Sequence, residues 1–442
     1  MQTEKMPDIM KLSRLIWYAF FLVLSLSSAG AVDSQPIIHG TLENGLEYCI
    51  EERPMTETVM LGIYVRGGLQ AEKEELVGLT SLLPSLLLKG TETRKGDAIA
   101  KILENRGVRY SAYSDYFATG IWAYMPAGEF SNTIGILADM TIHPAFLEKE
   151  LEKEKDMRLR NFDSYKDYPS SVFQREIYSA LFPHHPLGYF PPFTRESLNA
   201  MSRDDLVSFH KSYFVPNNIL IVIVGNIAAD RALEEIERYF GSLPVTEIPE
   251  KKFSKEESLA PAGIRKSVNR RTSEARVWVG FRAEGIPDEN IPSLIVLNTI
   301  LGKFQMRLYQ EIREKRGYAY WVDIDALNYP DVAMWGVEAG IQKRYLKEVE
   351  SIIIKELMRI AEEPVLDEEM EMAKKYIKTN ISRSAEVNSG RASSYSAFLL
   401  KGRPLRTEEQ NLQRIDIVTR EDVLKLSQTL FKSRDFCIFT LY

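Results

Sequence analysis

The chain has 442 residues, two cysteines and a formal net charge of −6 at pH 7. A chain of this length is expected to fold into two or more domains, each large enough to bury its own core. The slightly acidic balance gives no basis for a nucleic-acid partner, because proteins that bind nucleic acids present basic surfaces to the phosphates.

The N-terminal residues 1–31 have the parts of an export signal. Lys11 and Arg14 precede an apolar run from Leu15 to Leu26, and small residues follow at 27–31, as in an A-x-A cleavage site. The strongly apolar run is shorter than the ~20 residues that a membrane-spanning helix needs. We therefore expect cleavage after residue 31, no stable membrane span, and a periplasmic or extracellular protein. The alternative is an uncleaved signal that remains as a tilted membrane anchor.

Strands and long helices both follow in the sequence. Asn44-Gly45 lies between two β-favouring runs and predicts a β-hairpin. Residues 146–166 and 347–360 show the apolar spacing and charge pairing of surface helices. Cys49 and Cys437 each lie in a strand-like apolar run, which favours two buried thiols, although an exported chain could pair them. This mixture favours an α+β fold over a strictly alternating parallel α/β fold.

Two similar halves follow one another along the chain. Residues 202–206 (SRDDL) recur as residues 419–423 (TREDV), an offset of 419 − 202 = 217, and both segments predict a helix that begins with a capping box. Between the halves, residues 243–263 contain three prolines and a charge run without helical or strand periodicity, which is typical of an exposed linker. We predict an N-terminal domain at 32–242, a linker at 243–263 and a C-terminal domain at 264–442.

Two segments resemble motifs of the pitrilysin/insulinase (inverzincin) zinc peptidases. Residues 78–91 (GLTSLLPSLLLKGT) have the frame of that family's zinc helix, which reads G-x-x-H-x-x-E-H before an apolar run and K-G-T. Residues 307–320 (RLYQEIREKRGYAY) resemble the conserved motif of the family's half without zinc. The resemblance implies the layout of the subgroup that includes mitochondrial processing peptidase: two homologous α+β domains, each an antiparallel sheet packed by helices, joined by a linker.

The zinc-helix frame lacks every reactive side chain. Ser81 and Ser85 stand where the family has its two histidine ligands, and Pro84 stands where it has the general-base glutamate. The third ligand is a glutamate in a later helix, and Asn161 falls on its position. Serine is a poor match for Zn²⁺, which proteins bind through imidazole, thiolate or carboxylate groups. The resemblance therefore implies that this chain binds no zinc and lacks the base.

The second motif keeps two residues that face the zinc across the substrate in the family. They map to Arg313 and Tyr320. A fixed phenol donor stabilises the oxyanion that develops on an attacked peptide carbonyl, and arginine offers a planar set of donors to backbone carbonyls. The alternative is that Arg313 is a solvated helix charge and Tyr320 a core residue of a strand. The family's glycine-rich segment that leads into the motif corresponds here to residues 301–308, which are shorter and contain a single glycine, so we expect altered substrate handling.

Together these motifs predict an exported, catalytically incomplete subunit of a heterodimeric zinc peptidase. The partner would be a homologous H-x-x-E-H subunit that carries the zinc, and the substrate would be a peptide or unfolded protein held as an added strand. We expect no cofactor on this chain, since adjacent His184 and His185 cannot converge on a metal as an i, i+4 pair does. Two alternatives remain: a structural or assembly protein that keeps the fold without catalysis, and a peptide-binding module that acts alone.

Overall fold

The computed structural model describes residues 37–165, 167–183, 185–249, 262–303, 305–432 and 435–442. The predicted export signal at 1–31 lies outside these residues, as does much of the predicted linker. Among the described residues, no helix combines the length and the apolar character needed to cross a bilayer. The described residues from Ile37 onward form one compact unit.

The first half contains a six-stranded sheet with strand order β1-β2-β6-β3-β5-β4. Its strands are β1 Ile38–Thr41, β2 Glu47–Glu52, β3 Thr58–Val65, β4 Arg109–Ser114, β5 Thr119–Pro126 and β6 Ile219–Gly225. Its helices are α1 Leu79–Leu87, α2 Gly96–Asn105, α3 Phe130–Ile142, α4 Glu148–Tyr165, α5 Pro169–Leu181, α6 Arg195–Ala200, α7 Arg203–Tyr213 and α8 Ala229–Phe240.

The second half contains a five-stranded sheet with strand order β7-β11-β8-β10-β9. Its strands are β7 Arg265–Val268, β8 Ala275–Ala283, β9 Ala319–Asn328, β10 Ala333–Ile341 and β11 Cys437–Leu441. Its helices are α9 Ile291–Gly302, α10 Leu346–Glu362, α11 Asp367–Ala385, α12 Asn388–Leu400, α13 Glu408–Asp416 and α14 Arg420–Phe431, with a π-helical turn at Tyr309–Glu314.

The α+β fold predicted from the sequence is confirmed, with one refinement in the strand directions. Each sheet contains one parallel pair of strands. In the first sheet this pair is β2 with β6, and in the second sheet it is β7 with β11. All other neighbouring strands of the described sheets run antiparallel. The paired strands lie far apart in the sequence, so no short hairpin forces them to be antiparallel. The predicted hairpin at Asn44-Gly45 joins β1 to β2, and Gly45 has φ +83°. This positive φ is the conformation that glycine adopts at least cost in a tight turn.

The internal repeat appears in the structure as two equivalent helix starts. At α7, the Ser202 hydroxyl accepts a hydrogen bond from the Asp205 N–H (3.3 Å), and the Asp205 carboxylate accepts one from the Ser202 N–H (2.9 Å). Thr419 and Asp422 repeat this exchange at α14 with distances of 3.1 and 2.9 Å. Both predicted capping boxes are therefore confirmed.

The two halves exchange one helix each. Helix α5 of the first half packs against β11 in the second sheet, and α12 of the second half packs against β6 and β3 in the first sheet. The two helices occupy matching places in the repeat, since 388 − 169 = 219, close to the offset of 217. Successive side chains of a strand point to opposite faces, and Leu61 of β3 points into the core of the first half, whereas Met60 points into a core shared by both halves.

The shared core contains both cysteines. Cys49 on β2 and Cys437 on β11 are both buried and are not joined in a disulfide, which confirms the interpretation that favoured two buried thiols. Burial raises the pKa of the Cys49 thiol to about 12, and the nearby charge of Glu51 adds to this increase. A thiol held in its neutral form is a weak nucleophile, so Cys49 serves packing.

Candidate functional site

Helix α1, which carries the altered zinc motif, begins at a tightly fixed turn. Gly78 has φ +100°, and a Cβ at this position would lie 2.4 Å from the Cβ of Phe193. The buried carboxylate of Glu72 accepts hydrogen bonds from the backbone N–H groups of Gly78 and Thr80, each at 2.6 Å. Burial raises the pKa of Glu72 to about 8, and the hydrogen bonds that it accepts act in the opposite direction. The start of α1 is thus capped from a neighbouring loop.

One face of α1 is leucine-rich and buried, and the opposite face carries the replaced positions. Ser81, Pro84 and Ser85 are all partly exposed and share a face through their i, i+3 and i, i+4 spacing. The Ser81 hydroxyl donates to the Gly78 carbonyl at 2.6 Å, so it is used within its own helix. Pro84 lies inside the helix, where proline has no N–H for the backbone hydrogen bond.

Helix α4 packs beside α1 and brings Asn161 to this region. Asn161 is exposed, and its backbone carbonyl accepts a hydrogen bond from Ser164. One turn earlier, the guanidinium of Arg158 donates to the carbonyl oxygen of Ser81. Burial lowers the pKa of Arg158, whereas the charge of Glu154 acts in the opposite direction. Helix α4 therefore presents a cation to α1 one turn before the third ligand position, and the ligand position itself has no carboxylate.

Two polar atoms remain without hydrogen-bond partners at this contact. They are Nε of Arg158 and Oε2 of Glu154, both buried and both unpaired within the part of the chain that the structure describes. Glu154 Oε1 lies 3.8 Å from the ammonium of Lys89. Leaving such groups unpaired costs free energy, so the contact between α1 and α4 is not optimised for stability alone.

The second motif lies at the edge of the second sheet. The turn after the π-helical segment closes through hydrogen bonds from Gly317 N–H to the Arg313 carbonyl (2.9 Å) and from Tyr318 N–H to the Ile312 carbonyl (3.0 Å). Gly317 has φ +64°, a left-handed conformation that ends helices and favours glycine. This turn leads directly into β9, so Arg313 and Tyr320 lie on adjoining elements.

Tyr320 occupies a bulge in the edge strand. Ala319 pairs with Ile341 and Trp321 pairs with Gly340, which leaves Tyr320 as the extra residue of β9. Its side chain is 51% exposed, so Tyr320 is not a core residue of the sheet. Arg313 is also exposed, and its guanidinium lies 5.1 Å from the centre of the Tyr309 ring. Both side chains face solvent on the described part of the chain.

Comparison with known proteins identifies the family. The profile described as "Insulinase (Peptidase family M16)" matches residues 48–190, and the one described as "Peptidase M16 inactive domain" matches residues 200–377. The chain is 27% identical over 397 residues to the uncharacterized zinc protease YmxG of Bacillus subtilis, covering 88% of this chain and 95% of that protein. It is also 27% identical over 406 residues to the uncharacterized zinc protease ML0855 of Mycobacterium leprae, covering 91% of each.

Solved structures share the fold across both halves. A protease from Helicobacter pylori superimposes with a TM-score of 0.84 at 17% identity, covering 92% of this chain and 99% of that one. The periplasmic protease PqqL of Escherichia coli gives a TM-score of 0.75 at 17% identity, covering 92% of this chain and 47% of that one. The chain belongs to the insulinase (M16) peptidase family. It is a member of inactive type, because its zinc motif has lost H-x-x-E-H.

The zinc that the M16 family implies does not fit the residues present here. The positions that would coordinate it offer two hydroxyl groups and a carboxamide, and Arg158 adds a positive charge beside them. Zn²⁺ prefers imidazole, thiolate or carboxylate ligands. Within the described ranges, no three His, Cys, Asp or Glu side chains are grouped so that they could hold a metal ion.

The described histidines have separate surroundings. His39 contacts Glu47 at 2.8 Å, and His210 contacts the Thr141 carbonyl at 2.8 Å. His185 is buried, and its Nε2 lies 3.1 Å from the hydroxyl of Tyr116. His184 lies outside the described residues. These histidines are surface or packing groups.

The M16 loop before the second motif is rebuilt around bulkier residues. Gly302 remains, and a Cβ there would lie 2.4 Å from Cγ1 of Ile324. Lys303 pairs with Asp323 on β9 at 3.2 Å, and Gln305 adopts φ +64°, which costs a non-glycine residue more than glycine. Phe304 lies outside the described residues. The loop is thereby tied to the same edge strand that carries Tyr320.

Three residues around the M16 site escaped the sequence analysis. Glu72 and Arg158 act on α1 from other elements, and Glu369 of α11 forms a two-point ion pair with Arg307 at 2.6 and 2.7 Å. That pair anchors the start of the second motif. No local sequence pattern signals the contact of Arg158 with α1, because it depends on how two distant helices pack.

Proposed function

We propose that this chain is the zinc-free subunit of an M16 peptidase made of two different subunits. In this proposal, Arg313 and Tyr320 act on a peptide that is held at the zinc of a homologous H-x-x-E-H partner. The observation that carries the proposal is the position of Tyr320: a half-exposed phenol at a bulge in an edge strand. A scaffold has no physical need for this arrangement.

The edge strand offers a route by which a peptide can bind. In the described sheet, β9 pairs with β10 alone, so the main-chain groups on its other side are available to an added strand. Recognition through main-chain hydrogen bonds tolerates many sequences, which suits peptides and unfolded proteins as substrates. The Tyr320 hydroxyl has no hydrogen-bond partner within the described residues, so it is available to a ligand at this edge.

The chemistry follows from the two side chains. The Tyr320 hydroxyl donates a hydrogen bond to the carbonyl oxygen as it gains negative charge, and this contact strengthens in the transition state. The Arg313 guanidinium binds backbone carbonyls and holds the peptide in register. The partner supplies the zinc and the general base, since this chain has neither group at the corresponding positions.

The length of one structural relative supports a pairing of two such units. This chain aligns with 47% of the E. coli periplasmic protease PqqL, so that protein contains a unit of this size together with a comparable length of further chain. A peptidase assembled from two separate chains would reach a similar total size. We further propose that residues 1–31 direct export and that the complex works in the periplasm or outside the cell.

Reconstitution tests the proposal. This chain and a homologous H-x-x-E-H chain are purified separately and mixed, and their association is measured by light scattering. Peptide hydrolysis is then compared for the partner alone and for the mixture. We expect activity to require both chains. If the partner cleaves equally well alone, the shared site does not exist.

A second candidate function is that of an assembly protein that keeps the fold without taking part in catalysis. The observation that favours it is the replacement of the zinc site by a partly buried arginine contact, which is compatible with a purely structural role. The same reconstitution separates the two functions, because an assembly protein would associate with its partner without changing the rate of hydrolysis.

A further inference from the structure

A cavity of about 500 Å³ lies in the second half, between helices α9, α11, α12 and α13. It shares no lining residue with the altered zinc motif or with the pair Arg313 and Tyr320. Its volume lies within the range of about 300–1,000 Å³ that is usual for small-molecule sites. The cavity is therefore a candidate binding site separate from the one proposed above.

The walls of the cavity are mainly apolar. Ile377 and Ile381 of α11 and Phe398 of α12 contribute side chains to it. Ile295 and Tyr376 also line the cavity while remaining 39% and 46% exposed, so the cavity reaches the protein surface between α9 and α11. Large apolar side chains exposed at the entrance of an apolar cavity indicate a ligand with an apolar body.

The charged residues that line the cavity are mostly basic. Four of them are cations and one, Glu408, is an anion; the cations are Lys303, Arg391, Arg406 and Arg414. Arg391 donates to Glu408 at 3.2 Å and to Glu51 at 2.8 Å, which neutralises its charge. The excess positive charge therefore lies with the other arginines, on the side of α13.

Arg406 and Arg414 share a single carboxylate. Asp288 lies 3.2 Å from Nη1 of Arg406 and 3.1 Å from Nη2 of Arg414. One carboxylate cannot neutralise two guanidinium groups, and both arginines line the cavity. Burial lowers the pKa of Arg414, and the positive charges of Arg406 and Arg403 lower it further. The negative charge of Asp288 acts in the opposite direction. Asp288 holds both side chains in place, so a second anion would meet preorganised donors.

We propose that this cavity binds an apolar chain that ends in a carboxylate, with the carboxylate at Arg414 and Arg406 and the apolar chain along α11 and α12. The apolar walls account for the body of the ligand and the excess of arginine accounts for its charge. Two sources share this chemistry: a fatty acid, and a peptide with an apolar C-terminal end.

Calorimetric titration of the purified protein with dodecanoate, below its micellar concentration, tests the proposal. Dodecanol and dodecyltrimethylammonium serve as probes with the same chain and a neutral or positive head. We expect one dodecanoate per chain, bound at least tenfold more tightly than either probe, because neither probe offers the arginines a carboxylate. A leucine-rich peptide distinguishes the two sources when it is tested as a competitor of dodecanoate with a free and with an amidated C-terminus. Competition by the free form only identifies a peptide C-terminus as a ligand, whereas no competition by either form leaves the fatty acid.

Three variants locate the site. Arg414→Gln should weaken dodecanoate binding about tenfold and leave dodecanol unchanged. Ser394→Phe adds bulk at a partly exposed lining position and should weaken both ligands, whereas Lys375→Gln removes an exposed charge from α11 outside the cavity and should change neither. Absence of stoichiometric binding, equal affinity for dodecanoate and dodecanol, or binding that Ser394→Phe does not alter would each overturn the proposal.

Discussion

The guanidinium of Arg158 donates a hydrogen bond to the backbone carbonyl of Ser81, which fixes a cation against the helix that carries the altered zinc motif. The loss of the metal site is therefore more than the loss of its ligands. A positive charge within a few ångströms of a divalent cation is strongly repulsive where water is partly excluded. Any attempt to restore the metal has to remove this charge as well.

We expect that restoring the three ligand positions alone will give poor zinc binding. The variant Ser81→His/Ser85→His/Asn161→Glu should bind zinc at least tenfold more weakly than the same variant with Arg158→Met added, a difference of about 1.4 kcal/mol. Zinc per chain after dialysis against a weak chelator is measured by elemental analysis. Arg160→Met, an exposed position on the same helix, is the matched control. About one zinc per unmodified chain, or equal binding with Arg158 retained, would contradict this account.

Restored metal binding should still give no peptidase activity while Pro84 is present. Proline has no group that accepts a proton, so water at the site would lack a base. The quadruple variant that binds zinc is compared with one that also carries Pro84→Glu, using a quenched fluorescent peptide. Hydrolysis by the variant that retains Pro84 would show that the base lies elsewhere.

In the reconstituted complex, Tyr320→Phe should lower kcat with little effect on assembly. Loss of one donor to a developing oxyanion typically costs 10²–10³ in kcat, about 2.7–4 kcal/mol. Arg313→Ala should chiefly raise KM, if its contacts are equal in the ground and transition states. Tyr168→Phe is the control, because Tyr168 is 58% exposed and lies outside the motif. Steady-state kinetics that match the unmodified complex for both variants would leave the assembly function as the better account.

The contribution of His185 to the stability of the protein should fall as the pH drops from about 6.5 to about 4. Burial lowers the pKa of His185 to about 4 from 6.5, with the charge of Arg282 acting in the same direction. In this pH window the unfolded chain binds a proton that the folded chain excludes, which removes about 3 kcal/mol of stability. Burial also lowers the pKa of His210, which adds to the loss.

Urea unfolding at several pH values measures this effect. His185→Gln should remove this contribution, so that the difference in unfolding free energy between the unmodified protein and the variant falls by about 3 kcal/mol between pH 6.5 and 4. His143→Gln, at an exposed position, should leave the pH dependence unchanged. The same pH dependence in the unmodified protein and in His185→Gln would contradict the assignment to His185.

The contact between Glu51 and Arg391 should stabilise the union of the two halves. Glu51 is buried on β2 and accepts hydrogen bonds from Arg391 and from the Tyr395 hydroxyl, each at 2.8 Å. Glu51→Ala leaves a partly buried guanidinium with one fewer carboxylate and should cost about 3 kcal/mol. Asp416→Ala, which breaks an exposed pair with Lys378, should cost less than about 1 kcal/mol. If urea unfolding gives both variants the same loss of unfolding free energy, burial does not strengthen the Glu51 pair.

Local features of the fold followed from the sequence, and long-range ones did not. The Asn44-Gly45 turn and the capping boxes at Ser202 and Thr419 depend on a few neighbouring residues, so short patterns predicted them. The parallel pairing of β2 with β6 joins strands far apart in the chain, and no local pattern encodes it. The contact of Arg158 with Ser81 depends on how α4 packs against α1, which the periodicity of either helix alone leaves undetermined.

The exchanged helices have a consequence for how the chain can be divided. Each sheet has one face covered by a helix from the other half, so a fragment ending at α8 would expose the apolar face that α12 normally covers. Neither half is then expected to be soluble when expressed by itself. A backbone cut between α8 and β7 should instead leave two fragments that remain associated, because α5 and α12 each pack on the other fragment. The fragments should separate only when the whole molecule unfolds.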